Sequence, residues 1–175
     1  MFRCILVGLR FLAFAIFAAS VACSPAAAQT VVDGDTITLA GVTWRLFGIH
    51  APEMHQRCGD WPAGRTASLH LQELMKSRLV FCKSVAVDRD GRTVGLCRAN
   101  GEDLGRAMVR DGMAWAYFQN SRAYIGDEAV ARAAKLGVHG HDCEPPWEWR
   151  AGNLPELFWQ LNPVEAADES QGSHR

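Results

Sequence analysis

Polar and apolar residues alternate along the segment from residue 31 to residue 49, in three short runs. A repeat of two residues is typical of a strand with one buried face. Two glycine-containing turns, Asp33-Gly34-Asp35 and Ala40-Gly41, separate the runs. The pattern therefore predicts three consecutive strands joined by tight turns.

Apolar residues at spacings of three and four follow between residues 62 and 77, after a polar loop. This spacing predicts a helix with Pro62 in its first turn. Two more helices are predicted further along the chain. Asp103 caps the first, and the second begins after Ser121 and reaches Gly137.

The clearest hairpin pattern surrounds the four-residue turn Asp88–Gly91. This turn places Val87 opposite Arg92, and therefore Cys82 opposite Cys97. Opposite residues of paired antiparallel strands lie within reach of a disulfide. Together, the predicted elements indicate an α+β fold, a five-stranded OB-type β-barrel with about three packed α-helices.

Residues 1–28 have the pattern of a secretory signal peptide. Arg3 and Arg10 supply positive charge, an apolar run follows, and small residues precede a predicted cleavage point before Gln29. The alternative is a lipoprotein attached through Cys23. Either way we expect a secreted or periplasmic protein without a transmembrane segment in its mature chain.

Four cysteines follow the predicted cleavage point. An even number in an exported chain favours two disulfides. The hairpin register assigns Cys82–Cys97, which leaves Cys58–Cys143 as the second bridge.

Residues 29–150 have the size of one ordinary domain, and residues 151–175 read as a polar, acidic, disordered tail. The formal net charge of the chain is −1. This balance argues against nucleic-acid binding through a strongly basic surface, so any anionic substrate must be held by a few local cations. We expect a monomer with no stable protein partner.

Acidic and basic residues concentrate near the predicted strand ends. Asp33 and Asp35 share one turn, Glu53 follows the third strand, Arg45 lies on that strand, and Arg92 begins the second hairpin strand. Phosphodiester hydrolysis needs a base to activate water and cations to stabilise the negative charge at phosphorus. Each residue alone has an ordinary structural explanation, but the combination suits this chemistry.

Three motifs occur in a diagnostic order: VVDGDTITL, RLFGIHAPE and DRDGRTVG. In this order they resemble the thermonuclease (staphylococcal-nuclease-like) family, and the likeness extends over about residues 30–137. The resemblance implies an OB-type barrel and endonucleolytic hydrolysis of DNA or RNA.

The resemblance also implies a role for each matching residue. Asp35 matches a carboxylate ligand of a Ca²⁺ ion, and Ala51 matches the residue whose backbone carbonyl binds the same ion. Glu53 matches the general base or water-orienting group. Arg45 and Arg92 match two arginines that bind the phosphate, for which the planar guanidinium is well suited.

The sequence departs from this family pattern at two positions. His50 stands where the family has a second carboxylate ligand, and a nitrogen donor suits Ca²⁺ poorly. Three alternatives follow: weaker Ca²⁺ binding, a softer ion such as Mn²⁺ or Zn²⁺ with His50 as a ligand, or a catalytically inactive module that binds nucleic acid or a protein partner. Asp90 stands where family members carry a tyrosine that lines the nucleotide pocket.

Overall fold

The computed structural model describes residues 29–119 and 121–161, with side chains described as far as residue 153. The predicted signal peptide, Cys23 and the last fourteen residues, 162–175, lie outside this range. The strands are β1 (Gln29–Asp33), β2 (Thr36–Leu39), β3 (Val42–Leu46), β4 (Ile49–His50), β5 (Val80–Val87), β6 (Thr93–Ala99), β7 (Glu102–Asp103) and β8 (Trp115–Ala116). The helices are α1 (Ala63–Met75), α2 (Leu104–Arg110), α3 (Ile125–Ala133) and α4 (Pro146–Leu161), with a short 3₁₀ helix at Gly137–His139.

Five strands form one mixed sheet in the order β1-β2-β3-β6-β5, with β7 added to β6. Neighbours are antiparallel except β3 and β6, which are parallel. The mixed sheet with packed helices agrees with the predicted OB-type fold, but within the described residues β1 and β5 do not pair, so the sheet is not closed into the predicted barrel. Beside β1, the Gln29 side chain instead donates to the backbone carbonyls of Met75 and Arg78, both at 3.1 Å.

The hairpin of β5 and β6 confirms the predicted register at the cysteines, because Cys82 pairs with Cys97. An irregularity between Ser84 and Ala86 then shifts the pairing by one residue. Val87 therefore lies opposite Thr93 rather than Arg92. An extra residue of this kind is a β-bulge, which hydrophobic alternation does not reveal.

The core lies between the sheet and the buried face of α1. Residues of that face include Ala67 and Leu71, which pack with Ile37 and Leu46 of the sheet. α2 adds Leu104 and Met108 to the same cluster. The helix predicted over 62–77 is confirmed, although it begins at Ala63 and ends at Met75.

Two features bear on the chain's organisation. Both predicted disulfides, Cys58–Cys143 and Cys82–Cys97, are present. The predicted domain boundary after residue 150 lies within α4, which runs to Leu161. None of the helices in the described part of the chain is long and apolar enough to cross a membrane.

Candidate active site

The turn between β1 and β2 holds a buried carboxylate. Asp33 Oδ1 accepts the backbone N–H of Asp35 at 2.9 Å, which fixes the turn. Asp35 Oδ1 then accepts the Thr36 hydroxyl at 3.1 Å, and Asp35 Oδ2 accepts the Ala51 N–H at 3.1 Å. A Cβ on Gly34 would lie only 2.6 Å from the Ala51 Cβ, so glycine allows the turn to press against the loop after β4.

Arg45 of β3 joins this carboxylate to His50. Its Nη2 donates to Asp35 Oδ2 at 2.9 Å and to His50 Nδ1 at 3.0 Å. An Nη group carries two N–H donors, and these contacts use both. Within the described residues, Nε and Nη1 of Arg45 have no hydrogen-bond partner and remain available to a ligand.

His50 is a neutral ring in this structure. Burial, followed by the charges of Arg45, Arg150 and Arg92, lowers its pKa to about 3. A guanidinium only donates hydrogen bonds, and each ring nitrogen faces one: Nδ1 lies 3.0 Å from Arg45 Nη2, while Nε2 lies 3.3 Å from the same atom and 3.5 Å from Arg150 Nη2. Whichever nitrogen carries the proton, the single lone pair of the neutral ring is directed at an arginine. The ring is packed edge-on against Tyr117, with centroids 4.7 Å apart. His50 therefore has no lone pair left for a second partner.

Glu53, in the loop after β4, meets a cation from the other end of the chain. Its Oε1 lies 3.4 Å from Nε of Arg150, in α4. Burial raises the pKa of Glu53, and the charge of Arg150 partly opposes this effect. Arg150 Nη2 also lies 3.5 Å from His50 Nε2. The contacts therefore run without a gap from Glu53 through Arg150, His50 and Arg45 to Asp35.

The loop that carries Glu53 is tied to the start of α4. Gln56 Oε1 accepts the Glu53 N–H at 3.1 Å, while Gln56 Nε2 donates to the Glu144 carbonyl at 2.9 Å. Two residues further on, Cys58 is bonded to Cys143. These links hold the loop and α4 in one arrangement.

Arg92 is engaged by its own turn. Its Nε donates to Asp88 Oδ2 at 2.6 Å and its Nη2 to Asp90 Oδ2 at 2.9 Å. Asp90 thus pairs with the predicted phosphate-binding arginine. The charge of Arg92 still contributes to the low pKa of His50, so it acts on the same site.

Sequence reasoning missed Arg150 and Trp147. The Trp147 ring lies 6.0 Å from the His50 ring and 5.9 Å from that of Tyr117. No local pattern links residues 100 positions apart. The predicted Cys58–Cys143 bridge was the available signal, because it brings the segment after Cys143 to the loop of Glu53.

The side chains present do not fit a Ca²⁺ ion. Calcium takes six to eight oxygen donors, whereas both oxygens of Asp35 already accept hydrogen bonds and His50 offers nitrogen. Two guanidinium groups next to His50 would also repel a cation. Among the residues that the structure describes, no three His, Cys, Asp or Glu side chains are grouped to bind a metal.

Comparisons with known proteins identify the family. The model of the staphylococcal nuclease homologue family matches residues 43–139. An uncharacterized endonuclease of Escherichia coli O157:H7 is 37% identical over 137 residues, 69% of this chain and 80% of that protein. The micrococcal nuclease of Shigella flexneri is 30% identical over 138 residues, 69% of this chain and 76% of that protein.

A third relative has a different name. The succinoglycan biosynthesis protein ExoI of Rhizobium meliloti is 37% identical over 117 residues, 62% of this chain. The chain spans 61% of that protein's length. The relatives thus share this domain, although their names indicate different functions. On the family match and on the two nucleases covered over most of their length, this chain belongs to the staphylococcal nuclease homologue family.

Proposed function

We propose that this site hydrolyses phosphodiester bonds of DNA or RNA. The observation that carries the proposal is the fixed position of Arg45. One of its nitrogens is bound by Asp35 and His50, and its other N–H groups are left for a phosphate. Glu53 lies at the other end of the same chain of contacts. A base and a preorganised cation are the two parts that the reaction needs.

In the proposed reaction, Glu53 accepts a proton from water as the water oxygen attacks phosphorus. A new P–O bond forms, the bond to the leaving nucleoside oxygen breaks, and that oxygen takes a proton from solvent. Arg45 donates to the non-bridging oxygens, whose negative charge grows in the transition state. Burial favours Glu53 in this role, because a raised pKa makes a carboxylate a stronger base.

We expect Arg92 to contact the substrate only after exchanging its acidic partners for phosphate. Asp88 and Asp90 now hold two of its nitrogens. The same feature favours a second candidate, a module that binds nucleic acid or a partner without cleaving it. In that alternative, the acids that pair with Arg45, Arg92 and Arg150 neutralise the charge of the site and leave it without catalytic activity.

Whether the reaction requires a metal ion is a separate question. Proteins of this family generally depend on Ca²⁺, but the donors described above fit this ion poorly. Mn²⁺ or Zn²⁺ would need the His50 lone pair, which faces a guanidinium group in either tautomer. We therefore assign no step of the reaction to a metal.

The test is cleavage of single-stranded DNA by the oxidised full-length chain and by Glu53→Gln. Loss of a general base lowers the rate by about 10²–10⁴-fold. Glu73→Gln is the matched control, because Glu73 is an exposed acid of α1 paired with Lys76. Equal cleavage by wild type and Glu53→Gln would contradict the role of Glu53. The absence of cleavage by wild type under every condition would favour the non-catalytic module.

A further inference from the structure

We propose that Arg150 binds the scissile phosphate and supplies there the positive charge that Ca²⁺ supplies in related nucleases. This inference deepens the proposed function and rests on it. It concerns a residue outside the three motifs of the barrel and outside the matched range 43–139.

The first argument is the position of the Arg150 guanidinium. It lies 3.4 Å from Glu53 and 3.5 Å from His50, so it stands between the proposed base and the residue at the missing ligand position. Both distances exceed those of a strong charge-assisted hydrogen bond, about 2.7–2.9 Å. Since the side chain is also 42% exposed, a phosphate oxygen has room to take these donors over.

The second argument is charge. The site has a histidine, His50, where the family has an acid, so it carries one carboxylate fewer. Asp35, whose carboxylate lies 3.7 Å from His50 Nδ1, is paired with Arg45. A site with less negative charge attracts a divalent cation less, and an added guanidinium repels it further. The same guanidinium attracts a phosphate. Loss of the acid and gain of Arg150 therefore both favour binding of a phosphate over binding of a divalent cation.

The third argument is how firmly the fold brings Arg150 to the site. The Cys58–Cys143 disulfide and the Gln56–Glu144 hydrogen bond fix the chain just before α4. Trp147 then packs beside His50 and Tyr117. Arg150 is therefore presented from a fixed helix start, the preorganisation that transition-state charge requires.

Binding of a short single-stranded phosphorothioate DNA, measured by fluorescence anisotropy in EDTA at several salt concentrations, tests the proposal. We expect Arg150→Ala to weaken binding about tenfold and to reduce the slope of log K against log salt by about 0.7, the value for one lost contact to a single strand. Arg150→Lys should retain the slope because it keeps the charge. Arg106→Ala is the control. Arg106 of α2 pairs with Asp127 of α3 at a similar distance, 3.5 Å, but lies outside the proposed site.

An unchanged salt slope in Arg150→Ala would overturn the proposal, because a merely structural role weakens binding without removing a phosphate contact. Saturable Ca²⁺ binding by the wild-type chain, measured by calorimetry, would also overturn it. Cleavage of ordinary DNA separates the two claims. If wild type fails to cleave yet shows the Arg150-dependent slope, the proposed function fails while the phosphate contact stands. If wild type cleaves and Arg150→Ala cleaves equally well, only the role of Arg150 fails.

Discussion

Replacing Gly64 with alanine should disturb both stability and the site. Gly64 is the second residue of α1, directly beneath the loop that carries Glu53. A Cβ at this position would lie 1.8 Å from the Glu53 carbonyl oxygen and 2.8 Å from the carbonyl carbon of Met54. Both obstacles are backbone atoms, so no side-chain rotation relieves the clash, and the loop must shift by about 1 Å or more.

The expected cost follows from competing effects. Alanine is a better helix former than glycine by about 1 kcal/mol, whereas overpacking a tight contact costs about 1–3 kcal/mol or more. Because the contact is with backbone, we expect overpacking to dominate and Gly64→Ala to lower the free energy of unfolding in urea. A displacement of about 1 Å at a catalytic group lowers the rate by about 10²-fold, so cleavage should fall as well.

Gly126→Ala provides the matched control. Gly126 is likewise the second residue of its helix, α3, but a Cβ there would meet nothing within 4 Å. This variant should gain about 0.5–1 kcal/mol of stability and keep its activity. If Gly64→Ala and Gly126→Ala gave the same change in stability, the reasoning from close packing beneath Glu53 would be refuted.

Two further predictions concern other parts of the molecule. Replacing Cys58 and Cys143 with alanine should reduce cleavage far more than replacing Cys82 and Cys97, because of the two bridges only the first ties the Glu53 loop to the start of α4. Cleavage is measured at a temperature where both variants are folded. Equal losses of activity would argue against this role of the first bridge. Burial, followed by the charge of Arg132, lowers the pKa of His139, so its contribution to stability is present above the unfolded pKa of about 6.5 and is lost as the pH falls below it. Urea unfolding between pH 7 and pH 5 should therefore show a weaker loss of stability in His139→Phe than in wild type, by at most about 1.4 kcal/mol per pH unit, and parallel curves would contradict the assignment.

Local patterns predicted the parts of the fold that depend on local chemistry. Alternation predicted the strands, because strand geometry is set within a few residues. The Cys82–Cys97 pairing was predicted from a turn register that differs by one residue from the observed pairing of Val87 with Thr93, and the bulge restores the predicted pairing at the cysteines. The bulge near Ser84 was not predicted, because one extra residue on an exposed strand does not change the alternation of buried and exposed positions in a recognisable way. The open sheet was not predicted either, since closure depends on contacts between the two edge strands, β1 and β5, which do not pair in the described residues.

In the candidate site, too, residues in local motifs were predicted and contacts between distant parts of the chain were not. The motifs identified Asp35, Arg45 and Glu53, which the structure connects through His50 and Arg150. Sequence reasoning treated His50 as a possible metal ligand, whereas the structure shows its ring in contact with Arg45 and Arg150. This result required the distance between two side chains. Arg150 required the path of the chain after the Cys143 disulfide, which no spacing rule supplies.

The central claim is that arginines, rather than a bound calcium ion, supply the positive charge for hydrolysis at this site. Its most direct test compares cleavage of single-stranded DNA by the oxidised wild-type chain in EDTA, Ca²⁺, Mn²⁺ and Zn²⁺, with His50→Asp measured alongside. The account predicts equal wild-type cleavage in EDTA and in Ca²⁺. Cleavage by wild type that requires Ca²⁺, or cleavage that appears only in His50→Asp with Ca²⁺, would contradict it.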